Sequence, residues 1–404
     1  MSIVAIGTYL PPWGSSAARV PGRDEDALTM AVQAGRAALG AGGTHVDHVV
    51  FVTHDLPLLD GGNGAALVAG LGLPPSTAVV EQIGGAPAVL DALLAAPAGT
   101  LVIGADTGTG SGAAAALVSG GAGDGGGLTL APVARVLRSL PVRARGNDGE
   151  VHDYDDPRLV RERGMRAALA DAGIARKAVA AVGLPAKDAA ALCEGDAPGV
   201  STTGASSPVF ALAALAHARA NGLLLAFEQA NMTAVDVTSG AVTVMRVEPA
   251  AQDLPKQRVT PGPEIRISLP AYERAFDAKV RLQAGRCPHC GTLALPPRHR
   301  CLGCGAEGDA GLAQLPREAT VYTTTTIHTP VPGLATPYTI VIVDLGDTGV
   351  RLLAQVTGAP PGNVGIGERG EMVLRRVAER SGIPDYGYAF WPRPAARRTP
   401  EVAR

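Results

Sequence analysis

Two C-x-x-C motifs in the C-terminal half constrain this chain more than any other feature. They are Cys287/Cys290 and Cys301/Cys304, and a glycine follows each motif. A C-x-x-C turn aims two thiolates at one point, and two such turns supply the four soft ligands of a tetrahedral zinc ion. A redox pair or disulfides are the alternatives, but two matched motifs outside a thioredoxin-like context favour a metal. Four thiolates leave no position for water or substrate, so we expect a structural zinc ion, with His289 as a turn residue and not a ligand.

The composition of the chain predicts a large α/β body. At 404 residues the chain is too long for one ordinary core, so two or three domains are expected. Apolar residues make up 46%, aromatic residues only 3%, and there are 52 glycines. Such a composition is typical of an alanine- and glycine-rich α/β protein in which small residues let helices lie close to strands.

Charge and hydropathy exclude several classes of partner. The formal net charge of −2 gives no reason to expect a polyanion such as nucleic acid. No apolar run reaches the roughly 18 residues of a membrane span, and the N-terminus lacks a basic leader, so we expect no membrane association. Cys193 lies outside the cysteine cluster and is predicted to be a buried core thiol. Reduced thiols that hold a metal fit a cytoplasmic protein.

The organisation along the chain changes near residue 250. Before it, apolar strand-like runs alternate with alanine-rich helices; after it, the proline-rich stretch VEPAAQDLPKQRVTPGPE is typical of a linker. From about Ala319 apolar residues alternate with a period of two, which predicts a small antiparallel barrel. The predicted divisions are a first domain over 1–247, a linker over 248–268, a helix with a zinc ribbon over 269–314, a barrel over 315–392 and a disordered tail over 393–404.

An internal repeat determines the fold prediction for the first domain. RAALGAGGTHVDHVVFV from Arg36 is echoed by RAALADAGIARKAVAAV from Arg166, and the segment Ala86–Asp106 is echoed by Ser207–Glu228. In the second pair a helix opens at a proline, the favoured place for that residue, and an apolar strand follows. Two copies of a β-α-β-α-β-β unit about a pseudo-twofold axis predict a layered α/β fold with helices between sheets.

This repeat, with YLPPW after the first strand and RDEDALTMAVQAGRAAL at the first helix, resembles the thiolase superfamily. Within it the hydroxymethylglutaryl-CoA synthase and ketoacyl synthase III branch is most similar, over Ile3–Val247. Residues Ile265–Pro392 resemble the zinc-ribbon and OB-fold family that accompanies thiolases and acyl-CoA enzymes, through GRCPHCGTLALPPRHRCLGCG, TVYTTTTIHTP and TPYTIVIVDL. The resemblance implies a duplicated thiolase-like layered fold, then a rubredoxin-like zinc ribbon and a small antiparallel OB-type β-barrel.

The resemblance also implies where catalytic residues would lie, and the chain departs from the family there. The family's nucleophilic cysteine falls on Ala86, its histidine on Gly183 and its asparagine near Ser201. An alanine cannot form a thioester and a glycine cannot move protons. We therefore assign no catalytic residue and expect the acyl-enzyme route to be closed.

Other candidate groups have a simpler structural interpretation. His54 and Asp55 follow a strand and could act as base and orienter, although a loop histidine and a helix-capping aspartate are commoner. The acidic stretch Glu150–Asp156, with His152, precedes a helix and is predicted to cap it. GTGSGA (residues 108–113) matches a dinucleotide fingerprint but is predicted to pack in the core. Glu228 either plugs the old active site or replaces a catalytic acid; the sequence leaves both open.

The leading functional hypothesis is a non-condensing, acyl-CoA-associated subunit. It would bind or position an acyl thioester, or support a partner thiolase, hydratase or acyltransferase. The alternative is an active acyltransferase or carbon–carbon bond enzyme, similar to hydroxymethylglutaryl-CoA synthase, that uses replacement residues; a purely structural oligomerisation protein is third. The barrel has Tyr322 and Tyr338 but no basic stripe, which favours acyl-CoA over single-stranded nucleic acid. An apolar edge strand around Ala78–Ile83 predicts a homodimer.

Overall fold

The first copy of the predicted repeat occupies the N-terminal 120 residues. The computed structural model describes residues 2–42, 45–108, 110–120, 126–146, 149–154, 156–195, 199–200, 202–263, 265–392 and 401–402. The elements of the first copy are β1 (Ser2–Tyr9), β2 (Trp13–Gly14), β3 (Arg19–Val20), α1 (Ala27–Gly42), β4 (His48–Val52), α2 (Gly64–Leu71), β5 (Ala78–Gln82), α3 (Ala86–Ala95), β6 (Thr100–Asp106) and β7 (Gly112–Ser119).

The second copy follows the same plan with one strand fewer. Its elements, with the last strand that leads out of it, are β8 (Thr129–Val136), β9 (Arg143–Arg145), β10 (Val151–Asp153), α4 (Pro157–Leu159), a π-helical segment (Val160–Arg166), α5 (Ala167–Asp171), β11 (Ala180–Val182), α6 (Ala186–Leu192), α7 (Ser207–Ala218), β12 (Gly222–Glu228), β13 (Asn231–Thr238) and β14 (Thr243–Val247).

Strand order shows the duplication directly. The first sheet runs β14-β1-β7-β6-β4-β5, and the second runs β11-β12-β13-β8. β6 pairs parallel with β4 and antiparallel with β7, just as β12 pairs parallel with β11 and antiparallel with β13. The second copy has no described counterpart of β5, because the chain after α6 makes only a bridge between Cys193 and Ala178 there. The predicted duplicated layered fold is confirmed.

Five layers build the first domain. The apolar helices α3 and α7 lie between the two sheets, and each has a proline in its first turn, as predicted. α5 and α6 cover the outer face of the second sheet, and α1 and α2 cover the outer face of the first. The layers are close: a Cβ added at Gly7 of β1 would lie 2.1 Å from the carbonyl oxygen of Ala34 in α1. Glycine at this position lets the helix backbone rest on the strand.

The C-terminal part contains two further sheets, which form the ribbon and the barrel. Its elements are β15 (Arg258–Val259), α8 (Leu269–Lys279), β16 (Gln283–Arg286), β17 (Leu293–Ala294), β18 (Gly311–Gln314), β19 (Glu318–Ile327), β20 (Ala335–Thr336), β21 (Tyr338–Leu345), β22 (Arg351–Gln355), β23 (Arg369–Arg380), β24 (Ile383–Pro392) and β25 (Glu401–Val402).

These sheets confirm the predicted zinc-ribbon and OB-type architecture. The ribbon sheet has the order β17-β16-β18, and the barrel has the order β22-β21-β19-β23-β24 with every pair antiparallel. A bridge between Val356 and Phe390 closes the barrel. α8 ends at Lys279, and Gln283 begins β16. Among the described helices, none is both long and apolar enough to cross a membrane.

The segments predicted as linker and tail make defined contacts where they are described. In 248–268, Gln252 bonds to Pro12 and Gly14 of the first domain, and β15 pairs with β20 beside the barrel. Most of the predicted tail, 393–400 and 403–404, lies outside the described residues, whereas β25 pairs antiparallel with β14.

The barrel packs on the first domain through a shared core. One hydrophobic cluster joins Met30 and Leu67 of α1 and α2 with Met372, Leu374 and Phe390 of β23 and β24. α1 is therefore enclosed by the first sheet on one side and by the barrel on the other, which explains why it is buried nearly all round.

A charged cluster lies within the same interface. The guanidinium of Arg375 is fully buried, 3.2 Å from the Glu25 carboxylate, and donates to the Tyr9 hydroxyl at 3.1 Å. Tyr9 in turn donates to Glu25. Burial alone would lower the pKa of Arg375, but the neighbouring Tyr9, Glu25 and Asp24 raise it above its ordinary value.

Candidate functional site

The two C-x-x-C motifs form matching turns at the end of the ribbon sheet. The N–H of Gly291 donates to the carbonyl of Cys287, and the N–H of Gly305 donates to the carbonyl of Cys301. Both glycines adopt left-handed conformations, with φ of 75° and 74°. This backbone requirement explains the glycine after each motif.

The turns bring the four thiols together in an arrangement that fits zinc. All four Sγ atoms lie within 4.8 Å of one another, with 3.7 Å between Cys287 and Cys304 and 3.5 Å between Cys290 and Cys301. A tetrahedral zinc–thiolate centre requires sulfur–sulfur separations of about 3.8 Å. The Thr292 hydroxyl lies 3.1 Å from Cys290 Sγ and helps to lower the pKa of this thiol to about 6. His289 is not part of this group among the described residues.

The second site lies at the centre of the first domain, where the N-termini of α3 and α7 meet the carboxyl ends of the strands. Ala86 begins α3 and is 1% exposed, so the position corresponding to the family cysteine carries only a methyl group. Gly183 follows β11 with φ of 79°, and an added Cβ would lie 1.8 Å from the Phe227 carbonyl oxygen. A histidine is thus sterically excluded at Gly183. Ser201 lies outside the described residues.

Glu228 caps the N-terminus of α3. It ends β12, and its Oε2 accepts the N–H of Gly85 at 3.1 Å while Oε1 bonds to His54 Nε2. Burial alone would raise the pKa of Glu228, but the hydrogen bond and charge of His54 lower it below the usual value. The same hydrogen bond raises the pKa of His54. Both interpretations that the sequence left open remain predictions, because the bond to Gly85 is expected of a plug and the bond to His54 is expected of a replacement acid.

Asp106 occupies the equivalent place in the other half. It ends β6 and accepts the N–H groups of Ala205 and Ser206 at 2.7 and 2.9 Å, together with the Ser206 hydroxyl at 2.5 Å. These bonds cap the start of α7. Burial raises the pKa of Asp106 in spite of the three hydrogen bonds that lower it. Each buried helix is therefore capped by a carboxylate from the opposite copy.

Asp106 is not among the site residues predicted from the sequence, although a signal for it is present. The two echoed segments end at Asp106 and Glu228, so an acid occupies the same position in both copies of the repeat. That coincidence predicts equivalent roles about the pseudo-twofold axis.

The rim of this site is formed by the hairpin β9–β10. Arg145 contacts the Asp55 carboxylate at 3.3 Å and donates to the His54 carbonyl at 3.3 Å. Asp55 also accepts from the Thr107 hydroxyl at 2.5 Å. The carboxylate that pairs with His54 is Glu228, so the considered His54–Asp55 dyad is not formed.

The remaining sequence candidates have structural roles. Asp156 accepts the N–H groups of Arg158 and Leu159 and caps α4 as predicted, although Val151–Asp153, with His152, form β10. The glycine-rich match at 108–113 leads into the strand β7. A dinucleotide fingerprint requires a helix N-terminus at this point.

Comparisons with known proteins place the C-terminal part in a family. Residues 278–309 match the family model of the ChsH2 rubredoxin-like zinc ribbon domain, and 313–375 match that of the ChsH2 C-terminal OB-fold domain. A DUF35 domain-containing scaffold protein of Pyrococcus furiosus is 34% identical over 125 residues, 30% of this chain and 90% of the relative. Its counterpart in Methanocaldococcus jannaschii is 33% identical over 111 residues, 26% and 78% of the two chains.

Solved structures similar to this chain come from two groups. A 3-oxoacyl-[acyl-carrier-protein] synthase III from Aquifex aeolicus is 17% identical, with a TM-score of 0.42, and covers 59% of this chain and 99% of its own. The Ltp2-ChsH2(DUF35) aldolase is 27% identical, with a TM-score of 0.26, and covers 32% and 98%. With its zinc ribbon and OB-fold barrel placed behind a duplicated layered α/β domain, the chain belongs to the DUF35 domain family.

Proposed function

We propose that this protein is a non-condensing scaffold subunit of acyl-CoA metabolism. Its curated relatives are named scaffold proteins. The resemblance of its first domain to thiolases favours an acyl thioester as the ligand. In this role it binds or positions an acyl thioester, or supports a partner thiolase, hydratase or acyltransferase in a hetero-complex. A structural zinc ion holds the ribbon, and the five cysteines, none of which forms a disulfide, fit a reducing, cytoplasmic compartment.

One observation carries the proposal: both helix N-termini at the centre are already occupied by carboxylates. A helix N-terminus stabilises a thiolate or an oxyanion through its partial positive charge and its unpaired N–H groups. Here Glu228 takes the N–H of Gly85, next to Ala86, and Asp106 takes the two N–H groups at the start of α7. The backbone N–H groups that would activate a nucleophile therefore bind the carboxylates of Glu228 and Asp106.

The test is an activity assay on the purified full chain. With acetyl-CoA and acetoacetyl-CoA, neither condensation nor cleavage should exceed the rate without protein, because nucleophile and proton-transfer groups are both missing. The His54→Gln variant should be indistinguishable from the parent. Steady turnover that this substitution abolishes would overturn the proposal.

The second candidate is an acyl-transfer enzyme with replacement groups. The observation in its favour is the His54–Glu228 pair, since the His54 side chain is 49% exposed and reaches solvent. Because the hydrogen bond that His54 donates to Glu228 raises the pKa of His54, the imidazole stays protonated to a higher pH than usual and suits a general acid. Such an activity would fall as the pH rises through that pKa.

We also propose a homodimer formed through β5. This strand is the edge of the first sheet, and Val80 and Ile83 are 56% and 63% exposed. The adjoining loop is fixed to it, because Glu81 accepts the side-chain N–H of Asn63 and the N–H of Gly64. If two copies pair edge to edge, neither sheet keeps an unpaired edge at β5.

The double variant Val80→Lys/Ile83→Lys should convert the dimer to a monomer. The twofold axis would place the introduced lysines of the two copies close together, where their like charges repel. We expect the dimer dissociation constant to rise at least about tenfold, which corresponds to a loss of about 1.4 kcal/mol in the free energy of association. Light scattering at micromolar concentration provides the measurement, and Leu353→Lys on the barrel is the matched exposed control. A monomeric parent, or a variant that stays dimeric, contradicts the proposal.

A further inference from the structure

The cleft between the first domain and the barrel is a cavity separate from the centre of the first domain. We propose that it binds the uncharged acyl-pantetheine portion of an acyl thioester. This inference rests on the proposed acyl-thioester function and locates the ligand away from the plugged centre. The interdomain cleft has a volume of about 340 Å³ and is lined by all three parts of the chain: Trp13 and Arg23, Leu254 of the segment 248–268, and Tyr338, Val356 and Val377 of the barrel.

The cleft is held open by bonds that join its walls. Gln252 donates to the Gly358 carbonyl at 2.9 Å, and Gln257 donates to the Pro337 carbonyl at 2.9 Å. The backbone N–H of Arg376 donates to the carbonyl of Asp24 at 2.9 Å. The walls are thus fixed before any ligand enters, as is usual for small-molecule sites.

The volume limits what the cleft can hold. Small-molecule sites occupy roughly 300–1,000 Å³, and this cleft lies at the lower end of that range. A medium-length acyl chain with its thioester and the nearby amides fits such a space. The nucleotide of CoA would have to remain outside.

The charges around the cleft select an uncharged ligand. Its lining contains four charged side chains, and three of them, all but Arg23, pair within the protein. Asp24 lies 3.8 Å from the buried Arg375, and Glu379 lies 3.8 Å from Arg376, which also donates to the Arg23 carbonyl. The lining itself carries two cations and two anions, so no net charge offsets a ligand carboxylate. Transfer of an unpaired carboxylate from water into this cleft would be unfavourable.

The position of the cleft suits delivery of a thioester to the centre of the first domain. Arg376 and Glu379 also line a second cavity, of about 320 Å³, which reaches Asp55 and Thr107. Asp55 lies on the rim of the centre, next to His54. The two cavities therefore adjoin at the Arg376–Glu379 pair.

Calorimetric titration of the full chain tests this inference with three probes: decanoyl-pantetheine, decanoyl-CoA and decanoate. We expect both thioesters to bind and decanoate to bind at least about tenfold more weakly. Trp13 lines the cleft, so its emission should change with the same midpoint. If decanoyl-CoA binds and decanoyl-pantetheine does not, the nucleotide makes the binding contacts and the inference is overturned.

Substitution of Gln355 locates the site. Gln355 lines the cleft from β22, so Gln355→Phe should fill it and weaken decanoyl-pantetheine binding at least about tenfold. Leu353→Phe, on the same strand but 63% exposed, is the control and should bind like the parent. Ala359→Leu fills the cleft from a loop and serves if Gln355→Phe does not fold. If both filled variants bind decanoyl-pantetheine like the parent, the cleft is not the binding site, but the proposed function stands. If the parent binds no thioester, the acyl-binding part of the proposed function is overturned as well.

Discussion

Cys301→Ser should release the zinc ion and unfold the ribbon. Four thiolates hold the metal, and in small ribbons the metal-binding free energy, on the order of 10–16 kcal/mol, is largely the folding free energy. A hydroxyl cannot replace one of the thiolates that meet within 4.8 Å. Elemental analysis should fall from one zinc per chain to none, and proteolysis should cut within 286–310.

The rest of the chain should survive this change. The barrel shares its core with α1 and α2, which supply more of that core than the ribbon residues Ala284 and Leu293 do, so the main thermal transition should remain. Cys193→Ser is the matched control, because Cys193 is a buried thiol outside the cluster. Zinc retained by Cys301→Ser, or a parent that contains iron or no metal, would contradict the account.

Arg375→Leu should be the most destabilising substitution at the interface between the first domain and the barrel. It removes the cation beside Glu25, so that the buried carboxylate keeps its hydrogen bonds from Tyr9 and Gly22 but loses its counter-ion. Breaking a buried ion pair in this way costs about 3–5 kcal/mol. Urea unfolding should show a lower midpoint and, because the interface is lost, separate transitions of the two parts.

An exposed arginine provides the comparison. Arg351 pairs with Asp344 at 2.8 Å on the barrel surface, and Arg351→Leu should change the free energy of unfolding by no more than about 1 kcal/mol. The double variant Arg375→Leu/Glu25→Leu should recover part of the loss, since it leaves no unpaired charge at that pair. Equal effects of the two single substitutions would show that Arg375 does not hold the interface.

Local features of the molecule could be predicted from the sequence, whereas contacts between distant segments could not. The C-x-x-C turns and the proline starts of α3 and α7 depend on neighbouring residues, and the repeat predicts the layered fold. The caps at Asp106 and Glu228 join residues about a hundred positions apart or more, which no periodicity encodes.

The docking of the barrel was missed for a similar reason. The all-round apolar character of α1 (ALTMAVQAGRAALGAG) indicates that two surfaces enclose it, but nothing in the sequence identifies the second one. In the structure this is the barrel. Because the core runs across the interface, the boundary near residue 247 remains a prediction.

Intact-mass spectrometry should detect no covalent acyl group on the first domain, since Ala86 lies where the resemblance places the nucleophile and Glu228 accepts the N–H of Gly85 at the start of α3. After incubation with acetyl-CoA and acetoacetyl-CoA, the mass of the parent chain should be unchanged. The Ala86→Cys variant should not turn over either substrate, because the proton-transfer partner is still missing. An added acyl mass that peptide mapping places in the first domain of the parent would contradict the account.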